Sequence, residues 1–235
     1  MPASSPGMTS ERERSPVSQT LRRPKAVLFD LLTALLDSWT LWNTIAGSEA
    51  DGRRWRTAYL RRTYGEGRYR PYETLVREAA VEVRLPAALA EQLAARYDDL
   101  MPWTEVSEVL GALRGVARLA VVTNCSDALG RIAAARTGIS FDVIVTAERA
   151  GFYKPHPQPY RLALDELGVA PREALFVAGS AYDLFGAAAV GLPVYWHDRI
   201  GMALPPDAPP PLRQEASLRP LLPLVSGQAG DSAAL

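Results

Sequence analysis

Five short runs of consecutive apolar residues punctuate the middle of the chain: Ala26–Asp30 (AVLFD), Leu119–Asn124 (LAVVTN), Val143–Ala147 (VIVTA), Ala174–Ser180 (ALFVAGS) and Pro193–His197 (PVYWH). Unbroken Val, Leu, Ile and Phe runs of this length predict strands buried on both faces, as in a parallel sheet covered by helices. The segments between the last four runs have helical periodicity. Ser126 or Asp127 is placed to cap a helix running to about Thr137. Gln158–Leu167 and Asp183–Val190 each end at a glycine, Gly168 and Gly191, suited to the C′ position. Strand and helix alternating in this way predict an α/β, doubly wound parallel sheet.

One connection is too long for a crossover. Roughly ninety residues separate the first run from the second, several times what one helix needs. The excess is helical in character, in GRRWRTAYLRRTY, RPYETLVREAAVEV and PAALAEQLAARYDDL. It predicts a helical cap domain, residues 38–102, inserted after the first strand. Residues 24–37 and 103–203 then form the core, with Thr104–Leu113 returning the chain to the sheet. Residues 1–23, rich in Ser, Pro, Arg and Glu, read as a disordered arm, and residues 204–235 as a loose, Pro-rich C-terminal tail with one short element around LRPLLPLV.

Composition narrows the function classes. Lys+Arg and Asp+Glu balance at 26 each, so no global charge recommends nucleic acid or a membrane surface as a partner. No apolar run nears the roughly 20 residues that span a bilayer, and the N-terminal stretch lacks the apolar core of a secretory signal. With a single cysteine, Cys125, no internal disulfide forms, and the expected location is the cytoplasm.

In open α/β sheets ligands gather at the carboxyl ends of the strands. There this chain puts Asp30 after strand one, Thr123 and Asn124 at the end of strand two, Lys154 in GFYKP after strand three, and Ser180 with Asp183 after strand four. Two carboxylates, a lysine and a hydroxyl–amide pair on one rim make a nucleophilic site: one carboxylate attacks, the lysine holds it ionised, the second activates water. Each signal alone has an ordinary reading as a loop cap or turn; their order and spacing carry the inference. Cys125 has no histidine at catalytic spacing, and neither His156 nor His197 belongs to a ligand cluster, so no metal and no cofactor is expected.

These segments resemble four motifs of the haloacid-dehalogenase superfamily. VLFDLLTALLD at 27–37 resembles the first, hhhhDx(D/Y)GTLxD; VVTN the second; YKPHPQPY the third; FVAGSAYD the fourth. The resemblance covers about residues 25–200 and implies a Rossmann-like core with the cap between the first and second motifs. Phosphatases of the superfamily carry a general-acid Asp two residues after the nucleophile, here Leu32, and a Mg²⁺-binding Asp in the fourth motif, here Gly179. Both substitutions point to the metal-free branch that attacks carbon, the L-2-haloacid dehalogenases. The cap segment WRTAYLRRTYGEGRYRPYETLVREA resembles theirs and implies Arg56 as the halide-accepting arginine, although Arg56 is one of seven arginines between 53 and 70. It implies Tyr72 as an aromatic lining of the halide and alkyl pocket, Thr123 and the Asn124 backbone as carboxylate binders, and Leu32, Tyr160, Ser180 and Tyr182 as further substrate contacts. Arg56 shares a helix face with Leu60 and Thr63.

Three departures qualify the resemblance. Thr33-Ala34 stands for the usual Gly-Thr, Leu32 for the dehalogenase Tyr, and Ser180 for the usual Asn. The expected reaction is displacement at C2 of a small 2-substituted carboxylate through an aspartyl ester. The alternatives are an azetidine-2-carboxylate ring-opening hydrolase, a Mg²⁺-dependent small-molecule phosphatase and a catalytically degenerate binding protein. A homodimer is implied by resemblance alone.

Overall fold

The computed structural model describes residues 23–227. The apolar runs form strands β1 (Ala26–Phe29), β2 (Arg118–Thr123), β3 (Val143–Thr146), β4 (Ala174–Ala178) and β5 (Val194–His197). With β6 (Arg213–Glu215) they build, among the described residues, a six-stranded sheet in the order β3-β2-β1-β4-β5-β6, parallel at every pairing. The unbroken apolar pattern follows from burial on both faces. Val27, Phe29, Val121 and Val177 enter one core cluster, while their neighbours Leu28, Val122 and Phe176 enter the other. A two-residue side-chain period therefore feeds two cores, and polar residues are confined to the ends of β1–β5, at Arg118, Thr123, Thr146 and His197.

Ten helices accompany the sheet among the described residues. Four belong to the long connection: α1 (Ser38–Ala46), α2 (Glu49–Glu66), α3 (Tyr72–Glu82) and α4 (Leu89–Ala95). The remainder are α5 (Val106–Arg114), α6 (Asp127–Ala135), α7 (Ala147–Ala150), α8 (Pro157–Leu167), α9 (Asp183–Ala189) and α10 (Leu221–Ser226). None is long and apolar enough to cross a membrane. α6 is shorter than its periodicity predicted. The Ser126 hydroxyl donates to Glu73 of α3 at 2.7 Å instead of capping the helix, and Glu148 accepts from the Asp127 amide at 2.6 Å.

The helical insertion is tied at its base and on its flank. At the base, Leu36 bridges Pro102 and the Asp37 amide donates to Met101 O at 2.8 Å, so entry and exit lie side by side. On the flank, Tyr69 N donates to Gly151 O at 2.9 Å and Tyr153 N to Gly67 O at 2.8 Å. That second pairing rests the insertion on the loop that carries Lys154. Inside it, Trp42, Trp55, Tyr59 and Tyr72 form a chain of ring contacts with centroids 4.5–5.3 Å apart. A buried Trp removes about 200 Å² from water, roughly 5 kcal/mol before ordering entropy is counted, so these rings hold a layer that has no sheet of its own.

Residues 204–227 depart from the loose tail expected of them, and residues 228–235 of that tail lie outside the described residues. β6 pairs with β5, Leu218, Leu221 and Val225 are fully buried, and α10 packs on α5. Pro223 lies inside α10, and its neighbours dock on the core despite a linker-like composition. Residues 1–22 of the expected arm lie outside the described residues.

Candidate active site

Asp30 immediately follows β1. Its amide is still in the sheet, donating to Val177 O at 2.9 Å, while its side chain leaves the rim. Carboxylate Oδ2 accepts from the Thr33 amide at 3.0 Å and the Ala34 amide at 3.2 Å; Oδ1 accepts from Lys154 Nζ at 2.8 Å. Burial opposes ionisation of Asp30, but the Lys154 charge and these hydrogen bonds outweigh it and hold the carboxyl below its ordinary value. One oxygen is thus fixed by backbone and the other by a cation, which leaves the carboxylate a single orientation.

Lys154 Nζ sits between two acids, 2.8 Å from Asp30 and 3.1 Å from Asp183 Oδ1, with all three side chains almost fully buried. Burial would lower its pKa, yet the charges of Asp183 and Asp30 raise it. Asn124 holds the lysine's backbone with both ends of its amide: Lys154 N donates to Oδ1 at 2.7 Å, and Nδ2 donates to Lys154 O at 3.1 Å. Asp183, the first residue of α9, is pushed up to about 6 by burial, with Lys154 opposing and Asp30 adding to the rise. Its Oδ2 is buried without a partner. The two carboxylates are therefore inequivalent: Asp30 is held ionised, while Asp183 is poised to exchange a proton near neutral pH.

The wall opposite Asp30 comes from α2. Arg56, 1% exposed, lies with Cζ 4.6 Å from the Trp39 ring centroid and 5.5 Å from that of Trp42. Its Nε and Nη1 are buried without hydrogen-bond partners, whereas Arg54, Arg61, Arg62 and Arg70 all pair with carboxylates at the surface. A cavity of about 20 Å³ lies between, lined by Asp30, Leu32, Thr33, Asn124, Lys154 and Ser180 from the core and by Arg56, Tyr59, Leu60 and Tyr64 from α2. That is room for about one water. A larger cavity of about 510 Å³, between residues 184–194 and 209–212, has no titratable side chain on its walls.

Several residues expected at the site sit behind it. Tyr72 packs edge-on against Tyr59 and bonds its hydroxyl to that of Tyr97 at 2.7 Å, so Tyr59 stands between it and the cavity. The Thr123 hydroxyl turns to Cys125 Sγ at 3.7 Å, and the Asn124 carbonyl accepts from Tyr59 Oη at 2.8 Å. Tyr160 lies under the site, its hydroxyl 3.4 Å from Asp183 Oδ1. Tyr182 is half exposed and stacks on Tyr64 at 4.4 Å. The Thr63 hydroxyl returns to its own helix. The Cys125 thiol is pushed up to about 11 by burial, which suits packing rather than attack.

Tyr59 and Tyr64 are cavity residues that motif spacing did not single out. Their signal was present: they lie three and eight residues after Arg56, on the same helix face. Tyr64 Oη donates to Ser180 Oγ at 2.8 Å, joining the insertion to the core across the cavity.

The site does not suit a Mg²⁺ ion. A Cβ on Gly179 would lie 2.2 Å from Ala34 N and 2.6 Å from Thr33 C, so a carboxylate at 179 has no room. The place between the two remaining carboxylates is taken by the Lys154 ammonium, and no group of three His, Cys, Asp or Glu side chains gathers among the described residues. A hard cation wants six or more oxygens.

A buried aspartate held by backbone amides and a lysine at the carboxyl end of a parallel sheet, under a helical insertion, defines a hydrolase class. The model of the haloacid dehalogenase-like hydrolase family matches residues 24–191, and the chain belongs to that family. It is 27% identical over 186 residues to the (S)-2-haloacid dehalogenase of Xanthobacter autotrophicus, over 72% of this chain and 73% of that protein. With haloacetate dehalogenase H-2 of a Moraxella strain it shares 34% over 117 residues, spanning about half of each, 48% and 52%. Among solved structures, the L-2-haloacid dehalogenase of X. autotrophicus with chloropropionic acid covalently bound superposes with a TM-score of 0.77 at 24% identity, over 88% of this chain and all of that one. At that identity the likeness speaks to the fold.

Proposed function

We propose that the protein hydrolyses short 2-haloacids by covalent catalysis on Asp30. The observation that carries this reading is the pairing of a fixed carboxylate on one wall of the cavity with a buried, partnerless guanidinium on the other. In displacement at carbon, a nucleophile enters on one side and an anion leaves on the opposite side. Asp30 attacks C2, the C–X bond breaks, and the halide departs toward Arg56 with inversion at C2. Water then adds to the aspartyl carbonyl carbon as Asp183 takes its proton, with Lys154 beside the developing charge. Collapse breaks the ester C–O bond, and the departing alkoxide takes the proton from Asp183, which frees Asp30 and the 2-hydroxy acid. Two easier steps replace one difficult displacement, and a nearly dry cavity strengthens each charge interaction.

The substrate is small, because Leu32, Tyr59 and Leu60 leave little volume beside C2. The phosphatase alternative lacks an acid at 32 and a place for its metal at 179. The test is a single turnover with 2-chloropropionate, 2-bromo- and 2-fluoroacetate, and azetidine-2-carboxylate, each with and without excess EDTA. The expected result is a mass increase of one acyl unit on the Asp30 peptide, insensitive to EDTA. Turnover of p-nitrophenyl phosphate that Mg²⁺ supports and EDTA removes, with no adduct on Asp30 from any of the acids, would overturn the reading.

A further inference from the structure

The loop that holds the nucleophile is itself held from behind. Residues 33 and 34 give their amides to Asp30. Three consecutive carbonyls of the same turn are each taken by a side chain: Leu32 O by the Ser38 hydroxyl, Thr33 O by the Trp103 indole at 3.0 Å, and Ala34 O by His197 Nδ1 at 2.8 Å. Ser38 is six residues from Leu32, and the amide of Trp103 already pairs with Leu35 O at 3.0 Å, so the local chain path accounts for both. His197 arrives from the end of β5, on the far side of β4.

A carbonyl only accepts, so His197 carries its proton on Nδ1. Its Nε2 is then a buried lone pair with no hydrogen bond of normal length, facing the Ala216 carbonyl and Glu105 Oε1, the latter at 3.9 Å. Glu105 is already engaged by Arg199 at 3.2 Å, Ser217 Oγ at 3.3 Å and Leu218 N at 3.4 Å. An imidazole buried with one nitrogen unsatisfied costs stability that an apolar side chain of similar volume would not. Packing alone therefore does not explain a histidine here; its one hydrogen bond does. Gly179 lies close against the same turn, where a Cβ would come within 2.7 Å of Thr33 and Ala34.

We infer that His197 is a positioning residue for the nucleophile: by holding Ala34 O it fixes the peptide plane that follows Ala34, and together with Trp103 on Thr33 O, the carbonyl of the peptide unit that carries the Ala34 N–H, it keeps that amide on Asp30 Oδ2. The inference rests on the reading of Asp30 as the nucleophile. It adds a residue from the fifth strand, outside the four motifs.

The test uses the full-length protein and three variants. His197→Asn keeps an N–H near the Nδ1 position, His197→Gln moves it toward the Nε2 position, and His197→Phe fills the ring volume with no donor. The first readout needs no substrate: the titration midpoint of Asp30 followed by ¹³C NMR and assigned by loss of the signal in Asp30→Asn. The expected result is a midpoint raised in Phe and Gln and restored in Asn, whatever the melting temperatures. The second readout is the single-turnover rate of ester formation on Asp30 with 2-chloropropionate. It should fall about tenfold in Phe, the fold-change of one neutral hydrogen bond, with KM unchanged and the rate recovered in Asn. Equal Asp30 midpoints in all four proteins, or Asn no better than Phe, would overturn the inference. Should His197→Phe fail to fold, the Asn and Gln variants decide it in the same way. If no acid forms an ester in the parent protein, the reading of the reaction fails while the titration still decides the positioning role.

Discussion

The two walls of the cavity are built on different electrostatic terms. On the sheet side each charged group meets an opposite charge, Asp30 with Lys154 and two amides and Lys154 with two carboxylates, and Asn124 holds both polar atoms of the Lys154 backbone; only Asp183 Oδ2 is left without a partner. On the helical side Arg56 meets two indole faces, and two of its nitrogens meet nothing. A satisfied network holds its groups in one geometry. An unsatisfied buried cation is costly unless an anion arrives. In the reaction proposed above, the sheet side makes the bond and the helical side receives what leaves.

Breaking the sheet side should have the larger effect. Asp30→Asn keeps shape and loses the attacking oxygen, so a fall in kcat on the order of 10⁴ or more is expected with the fold intact. Retention of more than about a hundredth of the activity, after allowing for deamidation, would remove Asp30 from the mechanism. On the helical side Arg56→Lys keeps one positive charge but loses the flat, weakly hydrated fork that lies against the indoles. Ester formation should slow by about 10², comparable to the loss of one preorganised donor. A wild-type rate of ester formation in this variant would show that the leaving group departs elsewhere.

A pH series separates the two carboxylates. Asp183 is raised to about 6 in the free enzyme, in part by the Asp30 charge that esterification removes, so in the ester it ionises at a lower pH; ester hydrolysis, which needs it ionised, should slow by about tenfold per unit once pH falls below that lowered value. Asp30, held below the ordinary carboxylate range, stays ionised and keeps forming ester. Along a descending pH series the esterified enzyme should accumulate while Asp30 still reacts, visible as an initial burst of halide and by mass. An absence of accumulation, with both steps falling together, would contradict the division of roles.

The smallest effects belong to the contacts that join and surround the walls. Tyr64→Phe removes the 2.8 Å bond to Ser180 but not the stack on Tyr182, so KM should rise about threefold to tenfold with kcat little changed. Arg61→Ala and Arg62→Ala break only surface pairs with Glu78 and Glu82 and should alter kcat/KM by less than about twofold. A larger loss from either than from Arg56→Lys would mean that the functional face of α2 has been misassigned.

Much of this was legible in the residues. The apolar runs give β1 to β5 within a residue or two, because a strand buried on both faces shows its burial as an unbroken pattern. β6 escaped because its three residues, Arg213–Glu215, are polar and largely exposed at the edge of the sheet. The short element expected around LRPLLPLV is α10, but its docking on the core escaped because the proline-rich composition around it looked like a linker. At the site, Asp30, Lys154 and Asp183 were readable from position alone, since parallel strands deliver their carboxyl ends to one rim. Tyr72 was misplaced toward the cavity because motif spacing names a position, not the direction its ring takes between Tyr59 and Tyr97.

The division follows the range of the forces. Strand identity, the order of the polar residues along the rim and the existence of a helical insertion are set by patterns only a few residues long, and the sequence determines them unaided. Which face of α2 meets the sheet, which hydroxyls turn away, and that Arg56 alone among the arginines of α2 is buried and left without a partner depend on contacts between residues up to more than a hundred positions apart, such as Tyr64 with Ser180 and Ala34 with His197. Those contacts exist only once the strands have assembled and the insertion has docked on the core, so the tertiary structure decides them.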